Sequence, residues 1–177
     1  FNDFVSPSFL ELSKPNDRLI VINSASKSFN MTGWRIGWIT HPEELGSHIA
    51  KLVQITTTGV PEFLQNGLVS ALENHKTITH ELRKNLKKSR DIMFDRLVNW
   101  NQIECSIPDA AFYAFFKVKG INDSLDFAKK LILETNVGVA PGVAFGASGE
   151  GHLRICFAAK ETFIIEIMDR LEPALNK

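Results

Sequence analysis

Polar and apolar positions change period several times along the chain. Residues 1–15 are weakly patterned and read as a short helix or loop ending near Pro15. Residues 18–23 (RLIVIN) form a continuous apolar run behind a polar turn, and their length and Ile/Val content predict a buried parallel strand. Residues 34–40 (WRIGWIT) predict a second strand. The segment His41-Pro42-Glu43-Glu44 then opens a helix reaching about Gln54, with the proline and two acids in its first turn. Residues 56–59 (TTTG) read as a loop. Pro61 and Glu62 start another helix, which carries Phe63, Leu64, Leu68 and Leu72.

The longest helical pattern covers residues 77–98, where Ile78, Leu82, Leu86, Met93 and Leu97 keep three- and four-residue spacing. Beyond Trp100 the texture shifts. Residues 111–118 (AFYAFFKV) are strand-like and aromatic. Residues 124–135 predict an amphipathic helix with Ser124 as its N-cap. Residues 137–140 and 152–157 predict strands joined by a glycine-rich loop. A last helix over 161–171 turns Phe163, Ile164, Ile167, Met168 and Leu171 inward, and Pro173 is expected to bend or end it.

Composition narrows the class. With 44% hydrophobic residues in 177, the chain can build a core. Twenty basic and twenty acidic residues cancel, so neither a nucleic-acid partner nor a disordered acidic tail is indicated. Lys84, Lys87 and Lys88 lie off the apolar stripe of the long helix and read as a solvated face. Apolar runs are too short to span a bilayer, and no signal peptide is visible, which points to a cytoplasmic protein. Cys105 and Cys156 lack metal-ligand spacing and read as free buried thiols. The five histidines are scattered, so no metal site is expected.

Candidate chemistry concentrates in residues 24–37, Ser-Ala-Ser-Lys-Ser-Phe-Asn-Met-Thr-Gly-Trp-Arg-Ile-Gly. Lys27 stands among small hydroxyl residues directly after an apolar strand, where open α/β sheets place ligands. An arginine follows eight positions on. A lysine amine can bond an aldehyde, while hydroxyls and a guanidinium can hold a phosphate, so this set suits pyridoxal 5′-phosphate (PLP). The alternative is a surface lysine in a loop. A small residue, a second small or apolar residue, a third small residue and Lys27, then Arg35-Ile36-Gly37, resemble the cofactor-lysine signature of the class I/II aminotransferases at every position.

That resemblance implies roles. Lys27 is the catalytic lysine that bonds the cofactor and shuttles the substrate α-proton. Arg35 and Ser24 bind the cofactor phosphate, and Ser26 assists. Ordinary loop capping is the alternative for both serines. Residues 139–158 resemble the family segment that ends in the arginine gripping the substrate α-carboxylate, and Arg154 is the matching position. Its alternative is a structural ion pair with an acid such as Glu150. Residues 56–59 fall where the family places a subunit-interface loop, and a plain helix–helix turn fits equally. Tyr113 and Phe115 resemble a strand lining the substrate side, with core packing the simpler reading. The glycines from Gly142 to Gly151 lack a Gly-Lys-Ser/Thr ending and read as tight turns.

The implied architecture is α/β, the PLP-dependent transferase fold type I. Residues 1–76 would be the tail of the large cofactor domain, and residues 77–177 the small α+β domain with a long bridging helix. The resemblance spans the chain but only the C-terminal half of a family member. The family's aspartate at the ring nitrogen has no counterpart, since Asp3 lacks the acid-x-x-Tyr context and Tyr113 is the chain's one tyrosine. The implied activity is amino acid and 2-oxo acid transamination by a full-length homodimer, with no nucleic acid and no membrane. Alternatives are a PLP-sensing module of a transcription regulator and a catalytically incompetent remnant. These 177 residues alone are expected to leave a strand edge unpaired and to associate. Light scattering tests this, and a monodisperse monomer would contradict it.

Overall fold

The computed structural model describes residue 1 and residues 6–176. Asp3 therefore lies outside the described residues. Two compact units are present, and the division falls between Leu82 and Arg83; Phe1 belongs to the second unit.

The first unit carries β1 (Val21–Ser24), α1 (Ala25–Ser28), β2 (Gly37–Thr40), α2 (Gly46–Thr56), α3 (Glu62–Glu73) and the start of α4 (His75–Leu97). Strand β1 pairs with β2 antiparallel, from Val21 opposite Thr40 to Ser24 opposite Gly37. The expected buried parallel strand is thus corrected. Among the described residues β1 has β2 as its one neighbour, and Ile22 is 76% exposed. An apolar strand signals an intended partner face, and no described residue covers this one. β2 starts later than expected because Thr32–Trp34 form a 3₁₀ turn and Arg35 is left-handed (φ 52°). Likewise Pro42 caps a 3₁₀ turn over Glu43–Leu45, and the helix itself begins at Gly46. The core here is small: Ala25, Met31, Ile36, Leu68 and Ala71. Phe63 and Leu72 of α3 are exposed instead.

The second unit is a four-stranded antiparallel sheet with helices on one face. Its strands are β3 (Ile103–Glu104), β4 (Tyr113–Val118), β5 (Ala140–Pro141) and β6 (His152–Cys156), in the order β3-β4-β6-β5. Alternation along β4 and β6 buries Ala114, Phe116, Val118, Leu153 and Ile155. Against that face pack Met93, Phe94 and Leu97 of α4, Ala128 and Leu131 of α5 (Ser124–Thr135), and Ile164, Met168, Leu171 and Leu175 of α6 (Glu161–Leu175). The Ser89 hydroxyl ties α4 to the start of α6 by donating to Ala159 O at 2.8 Å. Lys84, Lys87 and Lys88 are exposed.

Four expectations change here. Asp123, not Ser124, caps α5: its carboxylate accepts the Asp126 N–H at 2.9 Å. Phe163 is 54% exposed rather than inward. Pro173 lies inside α6 without ending it, because Leu171 and Leu175 on either side are both buried and hold the last turn in place. Cys156 is a free but exposed thiol on the outward face of β6, while burial pushes the half-buried Cys105 thiol up. No described helix is long and apolar enough to cross a membrane.

Phe157 is fully buried and meets Phe94 edge-on at 6.4 Å. Replacing it with alanine should cost about 3–5 kcal/mol through lost burial and the cavity left behind. Replacing Leu133, which is 82% exposed, should cost less than about 0.5 kcal/mol. Denaturant midpoints measure both.

Candidate functional site

Residues of interest fall in both units, and each group stands on its own geometry. In the first unit, Ser24 ends β1 and caps α1, its hydroxyl oxygen accepting the Ser26 N–H at 3.1 Å. Capping uses a lone pair of that oxygen. Its own O–H meets no acceptor among the described residues, so capping and donation to a ligand are compatible. Ser26 is nearly buried, and Lys27 is exposed on the single turn of α1.

The backbone brings Arg35 to this end. Ser24 pairs with Gly37, and the Ala25 N–H donates to Ile36 O at 3.1 Å. Ala25 is fully buried beneath the contact. The left-handed backbone at Arg35 is a strained conformation for a non-glycine residue, and such strain recurs at ligand sites. Trp34 anchors the turn. Its ring lies so close to α3 that a Cβ on Gly67 would come within 2.3 Å of it. The guanidinium donates once, to Thr32 O at 3.2 Å. Its other N–H groups meet no described residue. Ser24, Ser26, Lys27 and Arg35 thus share one end of a hairpin, which offers an open hydroxyl and most of a guanidinium to an anion.

The second group centres on Arg154, half-buried on β6. The register sets Phe115 directly opposite it and Tyr113 two residues away on the same outward face. Its guanidinium carbon lies 4.2 Å from the Tyr113 ring centroid and 4.0 Å from that of Phe145. Among the described residues no acid is in ion-pair contact with it. The alternative partner Glu150 is engaged elsewhere, accepting the Ser124 N–H at 2.6 Å and the Gly151 N–H at 2.8 Å. Core packing is corrected for Phe115, which is 41% exposed and stacked on His152 at 4.9 Å.

The glycine-rich segment forms two 3₁₀ turns, Gly142–Phe145 and Ala147–Gly149. Gly142 is required there, since a Cβ would meet Gly149 O at 2.0 Å. Phe145 went unmarked in the sequence because its contact with Arg154 depends on how these turns fold. The alternation of Tyr113 and Phe115 on one strand face was a usable signal.

Two N–H donors, Gly151 first and Ser124 second, hold the Glu150 carboxyl below its ordinary value of 4.5. A lowered folded value means the stabilisation is complete above the ordinary carboxylate range and is lost as pH falls through the folded value. Glu150→Gln should therefore lower stability at neutral pH. Its deficit should shrink toward zero in acid, as read from denaturant midpoints across pH 2–7. A deficit independent of pH would contradict the charge-assisted cap.

The chain as a whole is similar to known proteins. A sequence profile described as aminotransferase class I and II matches residues 1–171. LL-diaminopimelate aminotransferase of Natranaerobius thermophilus is 35% identical over 177 residues, 100% of this chain and 44% of that protein. Aspartate aminotransferase of Pyrococcus horikoshii is 35% identical over 163 residues, 90% of this chain and 42% of that protein. The crystal structure of the aromatic aminotransferase from Pyrococcus horikoshii superposes with a TM-score of 0.88 at 31% identity, over 99% of this chain and 48% of that one. The chain thus spans under half the length of the relatives it matches.

Proposed function

The chain belongs to the class I and II aminotransferases, and we propose that the whole protein transfers an amino group from an amino acid to a 2-oxo acid with pyridoxal 5′-phosphate. One observation carries this reading. Ser24, Lys27 and Arg35 share one end of a hairpin whose hydroxyl and guanidinium donors are open to an anion. That donor set fits a phosphorylated aldehyde beside an exposed amine. The family is PLP-dependent, and its cofactor supplies an electron sink for the α-carbon chemistry.

This chain's residues then do distinct work. Arg35 holds the phosphate by charge-assisted N–H bonds, and Ser24 donates its O–H to it. Ser26 supplies the N–H that orients the Ser24 oxygen, and its own hydroxyl is a further donor for the phosphate. The Lys27 Nζ would be the base that takes the proton from the substrate α-carbon in the first half-reaction. It reverses that transfer when the 2-oxo acid becomes the new amino acid. Arg154 binds the α-carboxylate. The named substrates of the relatives, LL-diaminopimelate and aspartate, differ in side chain but share the α-amino acid unit. An arginine without an acidic partner suits that shared group.

In this reading residues 1–76 close the large cofactor domain and residues 77–177 form the small one. The enzyme works as a cytoplasmic homodimer on amino and 2-oxo acids. Borohydride reduction of the complete protein with added PLP, followed by peptide mass mapping, tests the assignment. A phosphopyridoxyl mass on Lys27, lost together with transamination in Lys27→Ala, is the expected result. Label scattered over surface lysines would overturn it.

A further inference from the structure

Arg154 is long and flexible, yet among the described residues it is restrained without being neutralised. Tyr113 and Phe145 place their rings 4.2 and 4.0 Å from its guanidinium carbon, within the range of a cation–π contact. Phe145 is itself braced, meeting Phe115 edge-on at 6.1 Å and 86°. Phe115 in turn stacks on His152 at 4.9 Å and 8°. Glu150, four residues before Arg154, is held by two backbone N–H groups, and no acid among the described residues is in ion-pair contact with the guanidinium.

From this arrangement we propose that Tyr113 and Phe145 are positioning residues that clamp the Arg154 guanidinium as a pre-oriented, unneutralised receptor for the substrate carboxylate. The proposal rests on the transaminase reading above. Guanidinium donors lie in the plane of the group, whereas the rings pack against its central carbon. Neither ring neutralises the charge, so the N–H groups remain for a planar, two-oxygen acceptor. An acidic partner would have ordered the side chain equally well but cancelled its charge. Aromatic partners order it and keep the charge. The side-chain freedom that a carboxylate would otherwise have to freeze on binding is removed beforehand.

Steady-state kinetics of the complete enzyme tests this with Phe145→Leu, Tyr113→Leu, Tyr113→Phe and Arg154→Lys. Both leucine variants should raise KM for the amino acid and the 2-oxo acid about tenfold, with kcat changed less than about twofold. Tyr113→Phe keeps the ring and should restore KM. The rate with the corresponding amine, which lacks the carboxylate, should be unchanged in Phe145→Leu, Tyr113→Leu and Tyr113→Phe. Losing the clamp therefore narrows the preference for acid over amine, a ratio read on one preparation and so independent of folding yield. If KM holds in both leucine variants, or if acid and amine suffer equally, the clamp is wrong although Arg154→Lys still impairs the acid. If Arg154→Lys leaves the acid unaffected, the carboxylate reading fails and the clamp fails with it.

Discussion

The register of β4 against β6 is the constraint on which the second unit depends. With Phe115 opposite Arg154, every other residue of both strands is apolar and buried, and the intervening ones face outward. A slip of one residue would send Arg154 into the core formed by Phe94, Phe116 and Phe157, at a prohibitive desolvation cost. Hydrophobic burial therefore fixes where the charge of Arg154 must point. The same pairing lines up Tyr113 beside it. Gly142 and Gly149, in close contact, shape the turns that deliver Phe145. Glu150 completes the arrangement by capping the first N–H of α5 rather than meeting the arginine.

Local hydrogen bonds do the corresponding work in the first unit. Its buried core is small, so precision comes from the hairpin: Ser24 opposite Gly37, Ala25 bonded to Ile36, and Trp34 seated on Gly67. Each fixes the backbone next to a candidate site side chain rather than the side chain itself. Among the described residues the Ser24 O–H and most of the Arg35 N–H groups meet no acceptor, which suits an anion. The left-handed backbone of Arg35 is held by these surrounding contacts.

Several elements were legible in the residues alone. The strand expected over 111–118 appears as β4 from Tyr113 onward, and the helical pattern of 124–135 appears where expected, because both are amphipathic and meet a single core. The run 18–23 has the composition of a buried strand, yet it forms half of an exposed hairpin, because burial is a property of what covers a strand and not of the strand. Ser124 and Asp123 are both good caps by type. The choice fell to Asp123, whose carboxylate reaches the Asp126 N–H, while Ser124 is drawn inward to Glu150 and accepts the Val143 N–H. Pro173 lost its terminating effect to the buried leucines on either side.

Residues 24–37 by themselves determined the chemical character of the first group. An amine, two hydroxyls and a guanidinium lie within one short hairpin, and local pairing is enough to bring them to one end. They also determined the family, since that spacing is carried in the chain order. The environment of Arg154 was decided only by the tertiary structure. Tyr113, Phe145 and Arg154 come from a strand, a turn and another strand, and no sequence period links them. Sheet register and core burial set their distances, and those same forces decided that the arginine meets two rings instead of an acid.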